Sequence, residues 1–250
     1  MPANDQNPVK STDRTLSVLE ALAAEKEPIG LAELVRLLGI PKSSLHSIIR
    51  TMIWRGWVNS DPLTGGLSLG PRVLILRSAH IESDSLVKVV APTLDALAGA
   101  LGETVHLGSL DGADVVYLDK RESIHPLRLY SAVGKSLPAH ATALGKAILS
   151  QLAESAVQKL IKEPLQKLTE NTISNWEDLR VELERTRTQG YAIDNEENAA
   201  GITCFAVPLR SKGQVTNALS VSIPTSRLTD ELKARTIEQL MRAQESIHTA

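Results

Sequence analysis

The sequence predicts an α+β chain: a winged helix-turn-helix over residues 1–70, a linker helix over 71–83, and a larger α+β domain over 84–250. Three observations predict it. Three short stretches of helical periodicity between Thr12 and Arg55 are followed by two apolar dipeptide-scale strands around a turn-rich segment. The turn before the third stretch is Gly39-Ile40-Pro41, a left-handed stop and then a helix opener. Beyond residue 100, runs of strand pattern are interrupted by helices without strict alternation, which favours a mostly antiparallel sheet.

Residues 1–9 are polar and expected to be disordered. A first helix places Leu16, Leu19 and Leu22 inward, with Ser11 or Thr12 as cap. A second, Leu31 to Leu38, buries Leu34, Val35 and Leu38, and Pro41 opens a third that buries Leu45, Ile48, Ile49 and Met52. Trp57-Val58 and Leu67 to Leu69 form a hairpin across the turn formers between Asn59 and Gly66, and its tip lacks Lys and Arg. Pro71 to His80 reads as a connecting helix. Asp84 to Leu101 is a helix burying Leu86, Val89, Val90, Leu94 and Leu97, kinked or split at Pro92. Strands are predicted at Thr104–Leu110, Val115–Asp119, Leu127–Tyr130, Ile202–Leu209 and Val215–Ile223, with turns at Asp111-Gly112 and Lys212-Gly213. Gly134 to Ala139 is read as a loop, His140 to Leu152 as a helix, Trp176 to Gln189 as a helix stopped by Gly190, and a last helix starts near Leu228.

The bulk numbers restrict function. With 42% hydrophobic residues and a net charge of −2, the chain can bury a core but lacks the global field of an indiscriminate polyanion binder. Any nucleic-acid role therefore rests on local charge. Aromatic residues are 3% of the chain, which argues against a base-stacking platform. A helix reading duplex DNA needs none. No apolar run is long enough to span a membrane, no secretory signal is evident, and the single cysteine permits no internal disulfide; a cytoplasmic location is expected.

The third helix carries the strongest functional signal. Its outward face holds Lys42, Ser43, His46, Ser47 and Arg50, and residues 41–55 contain Lys42, Arg50 and Arg55 with no acid, a local charge of +3. Hydroxyls allow close approach to base edges while flanking cations meet phosphates. Ser43, Ser44, Ser47 and His46 are expected at base edges, with Lys42, Arg50 and Arg14 on phosphates. The bland alternative, a solvated polar face, does not account for the charge bias and the hairpin together.

Other candidates are weaker. Cys204 lies in an apolar strand, where thiols are usually inert packing, and lacks the geometry of an activated nucleophile. The histidines show no H-x-x-x-H spacing; His106, His125 and Cys204 would have to converge in space to bind a metal, and no metal or cofactor is expected. His140 suits a structural hydrogen bond at a helix start. Asp194, Glu196 and Glu197 form a small acidic cluster that could be a paired-carboxylate site or a turn after Gly190 with solvent-facing and amide-capping charges; the turn reading is taken for Glu196, and a mixed structural and ligand-facing role for Asp194. Phosphate-cradling glycine motifs are absent.

Three segments resemble the IclR family of transcription regulators: Leu31-Ala32-Glu33-Leu34 through Leu38-Gly39-Ile40-Pro41-Lys42-Ser43-Ser44-Leu45-His46; Leu137-Pro138-Ala139-His140-Ala141-Thr142-Ala143-Leu144-Gly145-Lys146-Ala147; and Gly190-Tyr191-Ala192-Ile193-Asp194 onward to Gly201-Ile202-Thr203-Cys204-Phe205-Ala206-Val207-Pro208. The resemblance implies a GAF-like α+β effector-binding domain and a non-enzymatic regulator, most simply a repressor. Such a regulator binds double-stranded operator DNA as a homodimer or homotetramer and answers to an organic acid or aromatic catabolite. It places the effector pocket at Leu129, Ala143, Leu144, Asp194, Ile202, Cys204, Ser220 and Ser222. Two features fit independently: Ser220 and Ser222 share one face of a strand, and amides at the helix start near Ala143 suit a carboxylate. Leu144 stands where small residues are common and should narrow the cavity. The competing readings are a small-molecule enzyme with a helical N-terminal appendage and an unregulated architectural DNA-binding protein.

Overall fold

A computed structural model describes residues 8–76, 79, 85–129, 131–211 and 214–248, and the chain divides into two compact units, residues 1–83 and 84–250.

The first unit opens with helices α1 (Lys10–Ala24), α2 (Leu31–Leu38) and α3 (Lys42–Trp54) and closes with a hairpin, β1 (Val58–Ser60) and β2 (Leu67–Leu69). Its core is Val18, Ala21, Leu22, Ile29, Leu34, Ile40, Leu45, Ile49, Met52, Val58 and Leu67. The three-residue spacing predicted for α1 does not hold: Leu16 is 53% exposed and Val18 fully buried. A helix turns 3.6 residues per revolution, so Leu16 and Leu22 end about 120° apart and cannot share one contact line. Nor do Ser11 or Thr12 cap it; Val9 occupies the cap position without a side-chain bond. Gly39 adopts the expected left-handed conformation, φ 63°, and donates its N–H to the Val35 carbonyl at 3.0 Å. Pro41 sits one residue ahead of α3 rather than inside it.

The hairpin pairs Val58 with Leu69 and Ser60 with Leu67, and Ile29 adds an antiparallel bridge to Leu67. Asp61 Oδ1 shapes the tip by accepting the amides of Leu63 (2.7 Å) and Thr64 (3.2 Å), which hold its carboxyl below the usual range. A side chain on Gly70 would stand 2.3 Å from the Gly56 carbonyl oxygen, so the strands' exit requires glycine there. Of the expected linker helix, residues 73–76 are helical; most of the segment from 77 to 84 lies outside the described residues.

The second unit begins with α4 (Ser85–Leu101), which runs unbroken through Pro92 and buries Val87, Val90, Leu94, Leu97 and Leu101, while Val89 faces outward. Six strands come next among the described residues: β3 (Thr104–Asp111), β4 (Asp114–Arg121), β5 (Ser136–Pro138), β6 (Ala192–Asn195), β7 (Ile202–Ser211) and β8 (Gln214–Pro224). They form one sheet in the order β5-β4-β3-β8-β7-β6, every pairing antiparallel. The turn expected at Lys212-Gly213 lies outside the described residues.

The strand predicted at Leu127–Tyr130 is not one. Residues 127–129 are irregular, with Leu127 64% exposed and its carbonyl accepting from Arg227 Nη1 at 2.7 Å; Tyr130 lies outside the described residues. The edge position goes instead to Ser136–Pro138, within the segment predicted as a loop. Proline cannot donate to a ladder, and an edge strand does not ask it to.

Alternation divides the sheet. Val105, Leu107, Phe205, Val207, Leu209, Leu219, Val221 and Ile223 form an apolar face. The helices α4 and the C-terminal α8 (Asp230–His248) pack on these strands. The opposite face receives α5 (Ala143–Leu149), backed by α6 (Glu154–Leu160) and α7 (Trp176–Gln189). The predicted helix from His140 to Leu152 is split: Ala139–Ala141 is a single 3₁₀ turn, and Thr142 caps α5 by accepting the Gly145 amide at 3.0 Å. A side chain on Gly145 would meet the Ala139 carbonyl oxygen at 2.1 Å, so this crossing depends on glycine.

Candidate functional site: a basic helix face and a buried polar row

On α3, Lys42, Ser43, His46, Ser47 and Arg50 are exposed, opposite the buried Leu45, Ile49 and Met52. Neither Lys42 nor Arg50 has an ion-pair partner among the described residues. Ser47 donates its hydroxyl to the Ser43 carbonyl at 3.1 Å, which leaves its oxygen as an outward acceptor. Two expected contact residues are instead turned toward each other: Arg14 Nη1 donates to Ser44 Oγ at 3.2 Å, and both are half-buried. The bond ties α1 to the start of α3. His46, Ile49, Arg50 and Ile53 face Ser60, Gly65 and Leu67 across a cleft of about 290 Å³.

The second candidate site lies where α5 covers the sheet. Register places Asp194, Cys204, Ser222 and Thr104 side by side across β6, β7, β8 and β3. The next row on the same face is Ala192, Ala206, Ser220, His106 and Lys120. Asp194, Cys204, Ser220 and Ser222 are thus brought together, each no more than 8% exposed. Ala143 and Leu144 cover them from α5, and Ile202 joins the same cluster half-buried. Leu144 finds its room over Gly108, where an added side-chain carbon would stand 2.9 Å from Leu144 Cδ1. Leu129 lies half-buried on the connection between β4 and β5.

The chemistry of this row is set by burial. Cys204 Sγ donates to Ser222 Oγ at 3.2 Å, and burial, then the Asp194 charge, pushes its thiol up, which is the opposite of an activated nucleophile. Asp194 is pushed up to about 7 by burial and by Glu197, against the amides of Glu197 (2.7 Å) and Asn198 (3.2 Å) that its Oδ1 accepts. The carboxyl therefore stands poised between acid and anion at neutral pH. Tyr117 of β4 packs in the same buried cluster as Cys204, Ala143 and Leu144, and burial raises its hydroxyl.

Sequence reasoning missed several members. His106 is fully buried, stacks on Tyr117 with centroids 4.4 Å apart, and shares a 2.7 Å hydrogen bond with Ser131; its Nδ1 has no hydrogen-bond partner among the described residues. Burial, then Lys120, holds it down to about 3, so the imidazole is neutral. Its register opposite Ser220 was not readable before the strands were paired. Lys146 is fully buried in α5, with Nζ 2.6 Å from Glu197 Oε1 and 3.2 Å from Glu182 Oε1. Glu197, to which sequence reasoning assigned no role of its own, is 6% exposed. A lone cation in the short apolar run Ala143–Leu149 was the available signal for a buried pair. Glu196, at φ 61°, accepts the Gly201 amide with Oε2, and His140 Nε2 meets the Gln166 carbonyl at 3.0 Å as expected. No group of metal-ligand type gathers among the described residues, so His106, His125 and Cys204 do not converge.

Comparison with known proteins adds the context. The family described as "IclR helix-turn-helix domain" matches residues 11–62, and "Bacterial transcriptional regulator IclR C-terminal" matches residues 78–249. The chain is 34% identical over 237 residues to the HTH-type transcriptional regulator XynR of Escherichia coli, covering 94% of each chain. It is 34% identical over 234 residues to the Transcriptional repressor IclR of the same organism, covering 92% of this chain and 85% of that one. A crystal structure of an IclR transcriptional regulator from Alicyclobacillus acidocaldarius superposes with a TM-score of 0.86 at 26% identity, covering 96% and 98% of the two chains. An IclR homologue from Microbacterium hydrocarbonoxydans, solved with 4-hydroxybenzoate, shares the fold at TM-score 0.77 and 22% identity, covering 96% of this chain and all of that one. A winged helix-turn-helix joined to an antiparallel α+β domain, matched over nearly its whole length in this way, belongs to the IclR family of bacterial DNA-binding transcriptional regulators.

Proposed function

We propose that α3 enters the major groove of operator DNA, and that a small organic acid or aromatic catabolite on the buried polar row governs that binding in a cytoplasmic homodimer or homotetramer. The observation that carries the reading is the uncompensated basic face of α3, exposed opposite its core residues. Ser43, Ser47 and His46 are assigned to base edges, Lys42 and Arg50 to phosphates. Ser44 and Arg14 contribute through the bond between them and not as free contacts. Repression is the simpler sign of control, because a dimer seated on an operator blocks access without further contacts.

In the second unit, Ser220, Ser222, Asp194 and Cys204 supply the polar contacts, with Ala143, Leu144, Leu129 and Ile202 as apolar walls. Of the amides at the start of α5, that of Gly145 is already taken by Thr142, so a carboxylate has only the preceding ones to meet. An anionic ligand beside Asp194 favours its protonated form, so binding takes up a proton and weakens as pH rises through about 7. The effector moves the DNA-binding equilibrium only through unequal affinity for the two arrangements it separates. The thiol pushed up at Cys204 supports a role without catalysis.

One experiment with two arms tests this. Arg50→Ala should weaken binding to duplex DNA and lower the slope of log K against log salt by about one. Ser220→Ala should leave DNA binding intact and change the response to effector acids. Equal binding by Arg50→Ala at every salt concentration refutes the docking of α3; an unchanged effector response in Ser220→Ala refutes the site in the sheet.

A further inference from the structure

The outward face of α3 does not stop at Arg50. At 100° per residue, Ser43, Ser47, Arg50 and Trp54 fall within an arc of about 60° centred opposite the buried Leu45, Ile49 and Met52. Trp54 is 84% exposed, far more than Trp57 and Trp176, which are half-buried. An indole left in water on an otherwise polar face asks for a reason, because the hydrophobic effect favours covering it. Its surroundings indicate what covers it. Residues 41–55 hold Lys42, Arg50 and Arg55 and no acid, and Arg72 Nη1 donates to the Arg55 carbonyl at 3.4 Å. The charge complement of this face is a polyanion.

Length supplies the geometry. Trp54 stands eleven positions beyond Ser43, about 16 Å along the helix axis, and a recognition helix contacts base edges with its N-terminal residues. With Ser43 and Ser47 over base edges, the other end of the stripe lies over the groove wall, where the phosphates run. Tryptophan has one polar group, an N–H that only donates, and a phosphate oxygen only accepts. We propose that Trp54 is a further DNA-contact residue, its indole N–H donating to a backbone phosphate at the groove wall while its ring shields that phosphate from water. The assignment rests on α3 lying in the groove as proposed above. Because the contact is to the backbone, it adds affinity and register without sequence preference.

A neutral donor makes a distinctive prediction. It displaces no cation from the DNA, so its loss lowers affinity equally at all salt concentrations, unlike the loss of an arginine. The test titrates the full-length protein into a short, labelled, mixed-sequence duplex at roughly 50 to 200 mM salt. Trp54→Ala should bind about tenfold more weakly throughout, with the salt slope unchanged. Trp54→Phe should lose nearly as much, since Phe keeps the ring surface but has no N–H. Arg50→Ala, run alongside, should lower the slope. In the wild type, duplex should protect from acrylamide the exposed fluorescence that Trp54→Phe removes. Trp54 lies outside the core, so both variants should melt at the wild-type temperature.

Wild-type affinity in Trp54→Ala, with Arg50→Ala weakened, overturns this inference and leaves the docking of α3 standing. If both variants bind as wild type, the docking itself is wrong. If acrylamide protection appears on raising protein concentration without DNA, a second copy of the chain covers the indole, and the phosphate assignment falls.

Discussion

Lys146→Met removes the cation at the centre of the second unit while keeping the side chain's length and apolar stem. The structure sets the size of the loss. Lys146 has no exposed surface, its Nζ lies 2.6 Å from Glu197 Oε1, and the Glu197 side chain is 8% exposed. After substitution Glu197 keeps the Asn195 amide at 3.2 Å, but its Oε2 has no hydrogen-bond partner among the described residues. The carboxylate is then buried, uncompensated and close to Asp194, whose proton affinity its charge already raises. Glu182, 17% exposed, is nearer to water and suffers less. Breaking one side of a buried pair costs about 3–5 kcal/mol. For a unit of this size each kcal/mol moves the melting temperature by about 2–4 °C, so a fall of roughly 6–20 °C is expected by calorimetry. The double variant Lys146→Met/Glu197→Gln should recover most of it, because a neutral amide does not demand a counter-ion. A loss below about 1 kcal/mol in Lys146→Met, or no recovery in the double variant, refutes the buried pair as an organising element.

Three other outcomes are expected. The raised Asp194 binds its proton more tightly when folded, so its contribution is present below pH 3.8 and is lost as pH rises toward 7; the depressed His106 contributes fully above pH 6.5 and loses that contribution as pH falls toward 3. The two slopes oppose, so urea midpoints of the wild type should change little between about pH 4 and 6.5, while Asp194→Asn should become more stable with rising pH and His106→Gln less stable. Gly145→Ala places a carbon 2.1 Å from the Ala139 carbonyl, which is backbone and cannot step aside, so it should cost about 1–3 kcal/mol in chemical denaturation and move α5 off the polar row. Gly108→Ala would stand 2.9 Å from Leu144 Cδ1 and 2.8 Å from Val115 Cγ1; it should alter effector response while DNA binding by the first unit persists, measured by titration of each.

Much of the architecture was legible in the residues because local physics wrote it there. Gly39 before Pro41 has one conformation that suits it, and the structure uses it. The alternating strands of Ile202–Leu209 and Val215–Ile223 announce two faces, and Ser220 and Ser222 could be put on one of them without knowing their neighbours. Gly190 after Gln189 closes α7 at φ 83° as a helix end requires. The failures share a cause. Leu127–Tyr130 alternates like a strand, but pairing was decided by Ser136–Pro138, which fits the free edge of β4 while Arg227 holds the Leu127 carbonyl elsewhere.

The site divides the same way. The sequence by itself determined that α3 would be basic outside and apolar inside, because one helix suffices to sort its own side chains. It could not determine that Arg14 would turn to Ser44, a pair 30 residues apart. Nor could it set His106 beside Ser220, or bury Glu197 against Lys146 at a separation of 51 residues. Such partners depend on strand register and on how closely a helix approaches a sheet. Both are settled only when the whole unit closes, because burial is what makes a charge seek its counter-ion.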